Sequence, residues 1–215
     1  MAKRPVFVPD ENPPHVRELE VEFQWHPGLS RSQAQKSIQE LHGAAREHGL
    51  HRLLEISSRS STELGNQLSA FHLTLVADSG QLISVECAYQ GSKVFEQGGP
   101  YQDLYQTTSK AAKQDERLRT SGPIVAFEFD GVRWPTQPTT AFYDWLYLSA
   151  LNQHPELQQH LLDHDGFTDI AFNPEKSAAC QARCAAMFLT LHRKGLFQEA
   201  MQDQQHFLRT LQPEH

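Results

Sequence analysis

Cysteine is scarce. Three residues in 215, Cys87, Cys180 and Cys184, make no even framework, so the chain reads as one that folds without disulfides in a reducing compartment. Long apolar runs are missing too, and nothing nears the ~18 apolar residues needed to span a bilayer, which argues against membrane insertion. The opening MAKRPVFVP carries two positive charges and no apolar stretch of signal-peptide length, so a cytoplasmic location is expected. There is no excess of positive charge: 19 Lys and Arg stand against 26 Asp and Glu, a formal net charge of −7. That argues against broad adhesion to phosphate backbones, yet leaves room for a local pocket that binds one modified nucleotide and touches few phosphates. Glycine-rich nucleotide loops and the Gly-x-Ser-x-Gly elbow are absent, so dinucleotide, nucleoside-triphosphatase and serine-hydrolase readings fall away. His154, His160 and His164 do not have zinc-helix spacing, and Cys180 and Cys184 lack two further ligands, so neither a metal nor a cofactor is expected.

The positive signals begin with the pattern of elements. Residues 1–15, with four prolines, read as an extended arm. Residues 16–25 alternate apolar and polar side chains at Leu19, Val21, Phe23 and Trp25, the period of a half-buried strand. Ser30 or Ser32 can cap a helix whose inner face is Ala34, Ile38, Leu41 and Ala45 and which Gly49 stops. Residues 53–56 suggest a short strand and 57–62 a loop, after which residues 68–76 read as loop or short strand. The spacing predicts a helix over 84–95, capped by Ser84, with Val85, Ala88, Ser92 and Phe95 inward. Residues 124–129 read as a strand closed by Asp130-Gly131, 140–152 as a buried helix, and 155–162 as a helix opened by Pro155. Two more helices are expected over 177–194 and 197–211.

On the helix over 84–95, Glu86, Gln90 and Lys93 are four and three residues apart and share one stripe, so their heads can meet on one ligand. Taken alone, such a stripe is most often a solvated face carrying a surface pair. Its surroundings change the weighting. The segment SVECAYQGSKVF (84–95) resembles the NADAR signature, in which a Val-Glu pair is followed by an aromatic, a Gln and a Lys-Phe ending. The matching positions are Glu86, Tyr89, Gln90, Lys93 and, offset by one, Phe95. LSAF (68–71) resembles that family's Leu-Ser-Asn-Phe opening with Ala70 in place of the asparagine. Ala112-Lys113 with Arg117 and Arg119 resembles its Ala-Lys, Gly-Arg stretch without the glycine, and residues 150–162 resemble its Asn-Pro-Glu-Leu helix pair. The likeness covers about residues 57–174. The SSR block (57–59), GPYQDLY (99–105) and TAFYDWLY (140–147) are similar in detail to the DarT-associated NADAR antitoxins. One departure is DIAFNP (169–174), where the wider family has Val-Glu-Ala-Ser. Ala171 stands at the place of that glutamate, and Asp165 and Asp169 are the candidates to replace it.

Beyond the arm over 1–15 and the strand-helix extension over 16–56, the resemblance implies a mainly α fold with few short strands, a YbiA-like helical core over 57–215. It also implies an N-glycosidic hydrolase that removes ADP-ribose from guanine in DNA and counters a DarT-like toxin. Glycosidic cleavage needs an oxocarbenium-like centre stabilised and the departing base protonated or a nucleophile supplied. Glu86 suits the carboxylate; Lys93 can donate a proton or, with its pKa lowered, attack the anomeric carbon. Gln90 and Ser69 would orient ribose hydroxyls and Tyr89, Tyr101 and Lys113 would line the pocket. Phe71 and Trp134 would stack on a base, and the amides of Gly98 and Gly99 with Arg59 would hold the diphosphate. Two rivals stand beside this reading: an N-glycosidase acting on a ribosylated metabolite such as a riboflavin-pathway intermediate, and a non-catalytic module that binds ADP-ribose or the toxin.

Overall fold

The computed structural model describes residues 1–175 and 177–212; Lys176 and residues 213–215, part of the expected 57–215 core, lie outside the described residues. The chain runs β1 (Ala2–Pro9), β2 (Val16–Phe23), α1 (Arg31–Arg46), β3 (Leu53–Glu55), α2 (Glu63–Gln67), β4 (Thr74–Val76), β5 (Leu82–Ser84), α3 (Val85–Gly91) and β6 (Lys93–Phe95). A 3-10 turn (Gln102–Gln106) leads into α4 (Ser109–Gln114), α5 (Arg117–Thr120), β7 (Ile124–Phe129), β8 (Val132–Trp134) and α6 (Ala141–Asn152). Then come α7 (Pro155–Leu161), β9 (Gly166–Thr168), α8 (Gln181–Arg193), α9 (Phe197–Ala200) and α10 (Gln204–Thr210). Two compact units result, Met1–Ser69 with Pro155–His215, and Ala70–His154.

In the first unit one sheet has the order β2-β1-β9-β3, with β1 antiparallel to β2 and β9, and β9 parallel to β3. The proline-rich start is thus strand rather than loose chain over Ala2–Pro9. Pro5, Val6, Phe7 and Val8 are all buried, so β1 shows no apolar-polar alternation to betray it. Its prolines are tolerated because the β9 side is paired only at Phe7 and Phe167. Ser30 caps α1 by accepting from the Gln33 amide, and Ile38, Leu41 and Ala45 pack on Val6, Val8, Val21 and Phe23. Helix α8 packs on β1, β2 and β9 and buries ten of its side chains, from Gln181 to Leu191.

In the second unit β6, β7 and β8 form an antiparallel sheet, and β4 pairs with β5 in a hairpin. Helix α6 packs on α3 and β4. Its core is aromatic: Phe127 stacks on Phe142 with centroids 4.7 Å apart, and Trp134 lies 4.9 Å from Trp145.

The expected mainly α class is wrong. With 41% helix and 19% strand spread over three sheets, the fold is α+β. Most of the unforeseen strands are three residues long, β5, β6, β8 and β9 among them, too short for a period-two pattern to register. Among the described residues no helix is long and apolar enough to cross a membrane.

Candidate active site

The site is built around the N-terminal turn of α3. Ser84 caps that helix, its hydroxyl accepting from the Cys87 amide at 3.2 Å. The preceding chain clamps it from the other side, because the Val85 and Glu86 amides donate to the carbonyls of Leu73 and Ala70, each at 2.9 Å. Ser109, at the start of α4, bridges both parts, meeting Ser84 Oγ at 2.8 Å and donating to the Phe71 carbonyl at 3.0 Å. Glu86 is therefore fixed in position by three segments at once.

The helix ends sooner than its composition indicates. Expected over 84–95, it stops at Gly91, and Lys93 belongs to strand β6, paired with Phe127. The ladder with β7 wins over helix propensity here. Val85, Ala88, Ser92 and Phe95 are nevertheless all buried, as expected. The polar stripe is no solvated face: Glu86 is 5% and Gln90 7% exposed.

Those side chains form one hydrogen-bonded series. Gln90 donates from Nε2 to Glu86 Oε1 at 2.9 Å, and Lys93 Nζ donates to Gln90 Oε1 at 2.7 Å. The amide is thereby turned with its donor to the carboxylate and its acceptor to the amine, the only orientation that serves both. Lys113, in the last turn of α4, brings Nζ to 3.8 Å from Glu86 Oε1 and over the Phe71 ring. Lys93 Nζ sits 4.6 Å from the centre of the Tyr89 ring. Burial lowers the Lys93 pKa to about 8; the Glu86 carboxylate opposes this and Lys113 adds to it. Burial also raises the Tyr89 phenol, with Glu86 and the buried Asp144 adding to the effect. What results is a carboxylate, an amide and an amine of lowered basicity in line, against an aromatic wall and beside a second cation.

A family model described as DarT1-associated NADAR antitoxin matches residues 2–215. The chain belongs to that family. No curated protein matches it.

In this NADAR antitoxin the remaining candidates divide by environment. Phe71 is half-buried beneath Lys113 and keeps ring surface to offer. Trp134 is 1% exposed, packed against Phe142 and Trp145, and so is a core residue with no face left for a base. Gly98 and Gly99 are required by sterics: both have positive φ, and a Cβ would meet the Tyr101 hydroxyl at 2.3 Å or the Lys93 carbonyl at 2.2 Å. Tyr101 is hydrogen-bonded to Ser121 and carries Arg117 over its ring at 4.4 Å.

Four candidates belong to the first unit, each hydrogen-bonded within it. Arg59 donates to the Leu29 carbonyl at 2.9 Å, and Ser69 to the Asn66 carbonyl at 2.7 Å. Asp165 accepts from the amides of His51 and Arg52, while Asp169 accepts from the Ala171 amide and Gln181. The reading from sequence missed two buried carboxylates, Glu55 and Asp144, 3% and 0% exposed. Each had a visible signal, an acid inside an apolar run, LLEI and AFYDWLYL respectively. Among the described residues no group of three His, Cys, Asp or Glu is arranged to hold a metal ion.

Proposed function

We propose that this antitoxin acts in the cytoplasm on ADP-ribosylated DNA, hydrolysing the N-glycosidic bond between ADP-ribose and guanine and so reversing the modification made by its DarT-type toxin. The observation that carries the reading is the Glu86–Gln90–Lys93 series. Breaking the bond from C1′ to the base leaves positive charge on the sugar, and a desolvated carboxylate is the group that offsets such charge most strongly. Glu86 takes that role, and Gln90 holds its Oε1 in place. Lys93, with a pKa of about 8, is neutral in a useful fraction of molecules near neutral pH. As the free amine it attacks C1′; the bond to guanine breaks, its electron pair leaves with the base, and the proton lost by the newly alkylated amine passes to the departing guanine. Water then hydrolyses the resulting lysine adduct and frees ADP-ribose. Phe71 offers ring surface to the base and Lys113 a charge to the substrate's anionic groups.

The direct check is release of ADP-ribose, read by mass spectrometry, from a single-stranded oligonucleotide carrying ADP-ribosylated guanine. Wild type should release it, and Glu86→Ala and Lys93→Ala should not. Full release by both variants would end the assignment of the series, and no release by wild type at high concentration would end the DNA substrate.

A further inference from the structure

The first unit contains a cavity of about 360 Å³ whose polar lining includes Gln39, His42, Arg46, Glu55, Ser61 and Thr62. Its chemistry follows from hydrogen-bond directions. The buried Glu55 carboxylate accepts from the Ser57 hydroxyl at 2.6 Å, the Thr168 hydroxyl at 2.6 Å and the Ile170 amide at 2.9 Å. The single proton of the Thr168 hydroxyl is thus committed to Glu55, so its oxygen meets His42 Nε2, 2.8 Å away, as an acceptor. That places the imidazole proton on Nε2 and leaves Nδ1 with a free lone pair, which no described residue bonds. Arg46 is one helical turn further along the same face of α1, and among the described residues its guanidinium makes no ion pair or hydrogen bond. Ser61 is exposed and its hydroxyl is likewise unengaged. Among the described residues Glu55 is the only carboxylate in the lining, and its oxygens are already occupied.

An unpaired guanidinium and a free hydroxyl, next to an imidazole tautomer fixed as acceptor, call for a ligand with an anionic group and a hydroxyl donor. We propose that this cavity binds a phosphorylated sugar, its phosphate on Arg46 and Ser61 and a sugar hydroxyl donating to His42 Nδ1. The inference is independent of the hydrolase reading, and its test uses no activity.

The test is titration of the full chain with ribose 5-phosphate, followed by calorimetry and by the imidazole nitrogen resonances of His42. Saturable binding is expected, with the His42 signals moving as a proton-accepting Nδ1 acquires a donor. Arg46→Met, an exposed change whose folding is verified by its thermal transition, should weaken binding about tenfold or more, as loss of a charged hydrogen bond does. Inorganic phosphate should bind more weakly than ribose 5-phosphate and leave the His42 signals in place. Absence of binding, equal affinity for inorganic phosphate, or an Arg46→Met variant with unchanged affinity would each overturn the proposal.

Discussion

Lys93 and His42 are both basic groups held toward neutrality by burial, and each has a measurable pH signature. For Lys93, kcat/KM should rise between pH 6 and 9 with a midpoint near 8, since the neutral amine is the proposed nucleophile. A profile that falls above pH 8 would instead make Lys93 the proton donor. Lys113→Met should move the midpoint upward, because a neighbouring positive charge that disfavours protonation is gone. Glu86→Gln keeps the shape and removes the charge, and a loss of roughly a hundredfold to ten-thousandfold is expected in kcat. For His42 the readout is stability. Burial, with Arg46 second, lowers its pKa from 6.5 to about 4, so between those values the unfolded chain binds more protons than the folded one. Stability conferred by the neutral imidazole is therefore present above pH 6.5 and lost as pH falls toward 4, by roughly 3 kcal/mol at most. Glu55, whose carboxyl burial pushes up, works with the opposite sign. Urea denaturation of wild type beside His42→Gln separates the two: the variant should lose less stability on acidification.

At the level of elements, Gly91 shows how tightly α3 is set into its surroundings. A Cβ there would lie 2.4 Å from Tyr105 Cε1 and 3.0 Å from the Tyr101 carbonyl. Tyr105 has little freedom to retreat, being hydrogen-bonded to Ser92 at 3.0 Å and set edge-on to Phe129. Gly91→Ala should thus cost about 1–3 kcal/mol from overpacking, less up to about 1 kcal/mol of gained helix propensity. A urea midpoint that rises would show the propensity gain to dominate. The same region marks how far the sequence could be read. Alternation gave β2, capping gave α1, the Asp130-Gly131 turn gave the end of β7, and apolar density gave α6. Only pairing with Phe127, 34 residues away in the chain, puts Lys93 in a strand. The stretch over 197–211 is likewise broken by Asp203, which caps a new helix by accepting from His206. In the site, the i to i+4 spacing of Glu86 and Gln90 was legible, whereas the approach of Lys113 comes from tertiary packing. The burial of Trp134 was hidden for the converse reason, since an aromatic residue carries the same letter in a core as beneath a base.

For the whole molecule, the formal charge of −7 bears on how the substrate is found. An enzyme that gripped the DNA backbone would need many lysines and arginines on one surface and would pay in salt sensitivity. Here the cation beside the proposed reacting groups is Lys113, and Arg117 is already committed to Asp103 and Asp115. Recognition should therefore rest on the ADP-ribosylated base itself. Two consequences can be measured with the modified oligonucleotide and its unmodified twin. Unmodified DNA should compete poorly, and the logarithm of kcat/KM should fall with the logarithm of salt concentration at a slope no steeper than about −2, equivalent to roughly three phosphate contacts on a single strand. A slope of about −4 or beyond would mean that five or more phosphates are held. That would require a basic surface to be engaged on the DNA, and binding would then start from the backbone, with the modification read second.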